Sequence, residues 1–144
     1  MCEVGCMYKF VDDLTSDVMF VAEGKNLAEL LEQASMALFE VVCQRDKVEP
    51  KEFIEIKVEA DSPRELVHEW LSKLLTESDI NEMFFSKFDV EVEKKDGKLI
   101  ARGKAWGEPY SPEKGETVVK GVTYYNFSVE KTKDGWRAKV VCDI

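Results

Sequence analysis

The chain has 144 residues, 44% of them apolar and 10% aromatic, and its 20 Lys and Arg against 29 Asp and Glu leave a formal charge of −9. That length suits a single domain over residues 1–144, and the apolar share is enough for a core, so wholesale disorder is excluded. The acidic balance argues against a protein that grips nucleic acid through phosphate contacts alone, and no window approaches the ~18 uninterrupted apolar residues of a membrane helix.

Two short strands are expected at residues 7–12 and 18–23, joined by the polar turn Asp13-Leu14-Thr15-Ser16. No basic leader and apolar stretch precede them, so a secretory signal is not expected. After Gly24, Asn26 is placed to cap a helix, with Glu29 three residues on as in a capping box. Leu27, Leu30, Leu31, Ala34, Leu38, Val41 and Val42 then make one helical stripe. Residues 53–60 alternate as a strand, with Ile54, Ile56 and Val58 on one face and Glu55, Lys57 and Glu59 on the other. A second helix begins at Ser62-Pro63-Arg64-Glu65, with Ser62 as cap, Pro63 in the first turn and Glu65 returning the capping bond. Its stripe is Leu66, Val67, Trp70, Leu71, Leu74 and Leu75; His68 falls off it, beside Glu69, which predicts a solvated position. Residues 86–93 repeat the strand alternation with Phe88, Val90 and Val92, and Asp96-Gly97 turns the chain into a strand at 98–106. A long strand near 117–131 turns at Asp134-Gly135 into a last strand at 136–142. One-sided alternation without βαβ repetition predicts an α+β fold, an antiparallel or mixed sheet with two amphipathic helices packed on one face.

The chemistry is first bounded by what is missing. Neither G-x-G-x-x-G nor G-x4-G-K-[ST] occurs, which argues against a self-contained nucleotide enzyme; G-x-S-x-G and an EF-hand loop are also absent. One histidine removes most Ser-His-Asp arrangements and all multi-histidine metal sites. Cys2 and Cys6 have C-x3-C spacing with no second pair at zinc-site spacing, so Cys2, Cys6, Cys43 and Cys142 are expected as free thiols in a reducing compartment.

Three segments stand out. Asp12-Asp13-Leu14-Thr15-Ser16-Asp17 reads either as a tight turn capped by its own side chains or as oxygens gathered for a hard cation. At the end of the chain, Val140-Val141-Cys142-Asp143-Ile144 sets the Asp143 side chain beside the main-chain carboxylate of Ile144, and two such charges repel unless a cation joins them. Lys120-Gly121-Val122-Thr123-Tyr124-Tyr125-Asn126 reads either as an ordinary strand or as a partner contact.

These segments resemble the archease family. The family's His-Thr-Ala-Asp turn is matched by Leu14-Thr15-Ser16-Asp17, its following helix by residues 27–41, and its middle strand by residues 85–90. Its Lys-Ala-(Val/Ile)-Thr-Tyr-His segment is matched by residues 120–125 and its Asp-Ile ending by Asp143-Ile144. No single motif is decisive, but five in order across the chain are specific.

The resemblance implies a small cytosolic protein that activates the GTP-dependent RNA-splicing ligase of tRNA splicing. It would promote ligase guanylylation and repeated turnover without being the ligase, and would meet tRNA only through that enzyme. It implies one divalent cation, calcium first and magnesium or manganese as alternatives, held by Asp17, Asp143 and the main-chain carboxylate of Ile144. Lys120 matches the family lysine and is expected to touch phosphates or the partner, and the acidic surface suits a basic RNA-binding ligase. Leu14 and Tyr125 stand where the family usually has histidines, which removes any acid–base role there. Two other readings stay open: a chaperone-like scaffold with a purely structural metal, and a metal-dependent phosphoesterase.

Overall fold

A computed structural model describes residues 7–11 and 17–144. In chain order its elements are β1 (Tyr8–Val11), β2 (Asp17–Gly24), α1 (Leu27–Val42), β3 (Glu52–Ala60), α2 (Pro63–Asn81), β4 (Met83–Lys95), β5 (Lys98–Pro109), β6 (Gly121–Val122), β7 (Ser128–Thr132) and β8 (Gly135–Asp143). The fold is α+β, and the two helices and their starts fall where the sequence puts them.

The local chemistry explains the helices. Asn26 Oδ1 accepts from the Glu29 N–H at 2.9 Å, and Glu29 returns its carboxylate to the Lys25 N–H, one residue before the cap. Ser62 Oγ accepts from the Glu65 N–H, with Pro63 opening α2. The Glu65 carboxylate, expected to return the capping bond, instead takes the Tyr124 hydroxyl and lies beside Arg64. Gly24 closes the approach from β2 to α1: a Cβ there would run into the backbone nitrogen of Leu30. The Asp96-Gly97 hairpin forms as expected, with both residues at positive φ (53° and 79°) and Lys95 paired with Lys98.

Where the sequence suggested one sheet, the strands divide into two antiparallel sheets. One runs β1-β2-β8-β6, with β7 also on β8; the other runs β3-β5-β4. Alternation specifies which side of a strand is apolar, not which sheet it joins. The helices lie between the sheets, α1 against β2 and β4, α2 mainly against β3. Phe20, Leu30, Leu38, Phe39, Trp70, Leu74, Phe85 and Val140 are fully buried there. The Trp70 Nε1–H donates to Ser35 Oγ at 2.9 Å, and the Ser35 hydroxyl donates to the Leu31 carbonyl, so the polar atoms between the helices are paired.

The expected long strand at 117–131 is broken. Both β6 and β7 run along the same edge of β8, but the outer chain uses more residues than β8 between the Val122–Cys142 and Ser128–Lys139 pairs. The surplus loops out between Val122 and Ser128, with Asn126 in the left-handed region (φ 56°) and the Phe127 N–H on the Tyr124 carbonyl. Upstream, the Glu116 and Thr117 N–H groups donate to the Val42 and Val41 carbonyls at the end of α1, which anchors the approach to β6. The last hairpin turns at Lys133-Asp134, with Gly135 already paired to Thr132, one residue earlier than expected.

Candidate metal centre

β2 starts at Asp17 and β8 ends at Asp143, and the antiparallel register sets these two residues directly opposite each other. Phe20, Ala22, Ala138, Val140 and Cys142 turn into the core, so the odd-numbered Asp17 and Asp143 share the other face. Directly opposite residues stand with their Cβ atoms about 4.5–5.5 Å apart, close enough for two carboxylates to repel or to share a cation. Both residues are partly exposed.

The other edge of β8 is equally well placed. Gly121 pairs with Asp143, the Lys120 N–H donates to the Asp143 carbonyl at 2.7 Å, and the Thr123 N–H donates to the Val141 carbonyl at 3.0 Å. Asp143 is therefore held from both sides. A Cβ built on Gly121 meets nothing within 4 Å, so the position beside Asp143 on that face is open. Lys120, the residue before Gly121, is exposed.

The donor chemistry fits a hard cation. Two opposed carboxylates followed at once by Ile144 form an oxygen-only set. Among the described residues no three His, Cys, Asp or Glu side chains gather as a metal cluster, so a cation here would need a third protein donor from the main chain or from outside those residues. Asp12, Asp13, Leu14, Thr15 and Ser16 of the turn, and Cys2 and Cys6, lie outside the described residues. Cys142 adjoins the site but offers no thiolate: burial, and then the charge of Asp17, push its thiol up to about 12. Cys43 is likewise pushed up to about 12 by burial first; both are free and buried.

His68 is the clearest correction to the sequence reading. It is half-buried, not solvated: Nε2 lies 2.8 Å from the Val122 carbonyl, and the ring stacks on Tyr124 with centroids 3.9 Å apart. Arg64 covers Tyr124 and Phe127 from the same helix. Counting only apolar residues in the α2 stripe hides this contact. The signal is present all the same, because His68 precedes buried Leu71 by three residues and so borders the stripe.

The fold and site define a small two-sheet α+β protein with an acidic strand-end site. The Archease protein family (MTH1598/TM1083) matches residues 8–144, and the chain belongs to that family. It is similar to the protein archease of Pyrococcus furiosus, 41% identical over 133 residues, covering 90% of this chain and 94% of that one. The protein archease of Methanosarcina acetivorans is 37% identical over 143 residues, covering 97% of both. Among solved structures, the solution structure of Methanobacterium thermoautotrophicum protein 1598 superposes with a TM-score of 0.85 at 31% identity, over 95% of this chain and 98% of that one. The Thermotoga maritima crystal structure, described as "an archease, possible chaperone", shares the fold with a TM-score of 0.61 at 18% identity, over 93% of this chain and 95% of that one. No helix among the described residues is long and apolar enough to cross a membrane.

Proposed function

We propose that this chain is a cytoplasmic activator of the GTP-dependent RNA-splicing ligase of tRNA splicing, promoting ligase guanylylation and multiple turnover through one divalent cation. The observation that carries this reading is the register that opposes Asp17 to Asp143 in a chain of the archease family. Asp17, Asp143 and the main-chain carboxylate of Ile144 hold the cation, calcium first, with magnesium or manganese as alternatives. When bound, the cation supplies charge neutralisation for phosphate oxygens. The chain's own residues do the rest. β2 and β6 fix Asp143 from either side, Gly121 leaves the approach open, and exposed Lys120 meets the GTP phosphates or the ligase. The chain is an activator, not an enzyme, and it reaches tRNA only through the ligase. The surplus of acidic residues steers it toward a basic partner.

The test is guanylylation of the same organism's ligase with labelled GTP and a substoichiometric amount of this chain. A boost that disappears with Asp143→Ala supports the reading. A boost that survives keeps the partner and discards the cation. No boost, together with chelator-induced unfolding, moves the chain to a chaperone-like scaffold with a structural metal, the reading that the description of the Thermotoga maritima protein favours. Phosphate-ester hydrolysis by the purified chain alone identifies the phosphoesterase alternative. Adding residues after Ile144 should weaken calcium binding while an N-terminal tag leaves it unchanged; equal titrations remove Ile144 from the site.

A further inference from the structure

We infer that His68 is a positioning residue for the cation site, acting through Val122 and the β6 strand that flanks Asp143; this rests on the cation reading above. A backbone carbonyl only accepts, so the 2.8 Å contact to Val122 requires the proton on Nε2, with Nε2–H donating. Nδ1, the other ring nitrogen, is buried with no hydrogen-bond partner. The ring has one polar engagement, and that engagement points at β6.

β6 is only two residues long, Gly121–Val122. Its pairing to β8 joins Gly121 to Asp143 and Val122 to Cys142, bracketed by the Lys120 and Thr123 N–H donors. So short a strand, followed directly by the Tyr124–Asn126 loop-out, has little ladder of its own to hold its place. The N-terminal half of α2 supplies the missing hold. His68 donates to Val122 and stacks on Tyr124, Phe127 meets the ring edge-on, Arg64 covers both aromatic rings, and Glu65 takes the Tyr124 hydroxyl at 2.8 Å. Val122 is thus held by β8 on one side and His68 on the other. Partners hydrogen-bonded to a metal ligand typically change affinity about tenfold or more, and β6 is such a partner of Asp143, which His68 holds in place.

Two variants separate the donor from the ring. His68→Phe keeps an aromatic surface against Tyr124 and removes the N–H; His68→Gln keeps an N–H at similar reach. His68→Asn, polar but too short to reach Val122, replaces His68→Phe if that variant does not fold. Calcium titrations of the metal-free chains are read alongside metal-free melting and amide exchange at Lys120 and Thr123. The expected result is about tenfold weaker calcium binding and faster exchange at both amides in His68→Phe, with His68→Gln within about threefold of the parent. A folded His68→Phe chain with parental calcium affinity and exchange overturns the inference, as does a His68→Gln chain no better than His68→Phe. If the parent itself binds no calcium, the cation reading and this inference fall together. If the parent binds and Asp143→Asn does not, while His68→Phe is unchanged, only this inference falls.

Discussion

The outer face of the β3-β5-β4 sheet and the β2-β8-β6 strand end both carry charge, and their cross-strand registers pair it differently. On the first, central-strand Lys104 lies between Glu55 and Asp89, and Arg102 between Lys57 and Glu91, with Arg102 reaching Glu93 at 3.0 Å. Lys104 Nζ also sits 4.4 Å from the Phe53 centroid, and the Trp106 N–H donates to Asp89. That face contains most of its own counter-charges. At the strand end, Asp17 opposes Asp143, and the neighbour on the other side is a glycine. Cross-strand pairing of opposite charges makes a solvated surface; the opposed carboxylates at the strand end are the donors on which the proposed cation site rests.

The largest expected effect belongs to the strand end. Calcium at a hundred times its Kd should stabilise the parent by about 2.7 kcal/mol and leave Asp143→Asn unchanged, as thermal melts with and without chelator would read. Equal stabilisation of both chains would break the comparison. On the compensated face, Lys104→Glu sets three acidic groups in one cross-strand row and should cost about 1 kcal/mol in denaturant unfolding without altering calcium affinity. Smaller still, Asp143→Asn without metal should gain about 0.5 kcal/mol over the metal-free parent, because it relieves the opposed charges; a loss would mean that the two carboxylates do not repel.

The smallest effect tests a half-buried carboxylate beside the β3-β5-β4 sheet. Burial raises the Glu32 carboxyl above its ordinary 4.5, outweighing the lowering by the Val90 N–H that it accepts. A raised acid favours the folded state most when protonated. Its stabilising contribution is therefore present below the unfolded value and is lost as pH rises through the folded one. Glu32→Gln should flatten that decline by less than about 0.5 kcal/mol, as denaturant midpoints measured from pH 4 to pH 7 would show.

Much of this architecture is legible in the residues. Asn26 and Ser62 announce the helix starts, Asp96-Gly97 the hairpin, and alternation through Ile54–Val58 and Phe88–Val92 the strands of the second sheet. The partition into two sheets is not legible, because strand pairing is decided by contacts distant in sequence. The break in the 117–131 strand does leave a trace. Its buried positions change parity, from Val122 to Phe127 and half-buried Val129, which no continuous strand allows. At the site, the sequence names Asp17, Lys120, Asp143 and Ile144 through their family resemblance; the structure opposes the two aspartates and bonds the Lys120 main-chain N–H to the Asp143 carbonyl. Spacing alone does not give that register, because Asp17 and Asp143 lie near opposite ends of the chain and only the pairing of β2 with β8 brings them together. His68 escapes a count of apolar residues because its anchor is a backbone carbonyl, which no side-chain pattern marks.

The most direct test of the central claim is anomalous diffraction from crystals of this chain grown with manganese in place of calcium. One peak is expected within coordination distance of carboxylate oxygens from both Asp17 and Asp143, beside Gly121. A map with no peak there, or with an ion held by only one of the two aspartates, would contradict it.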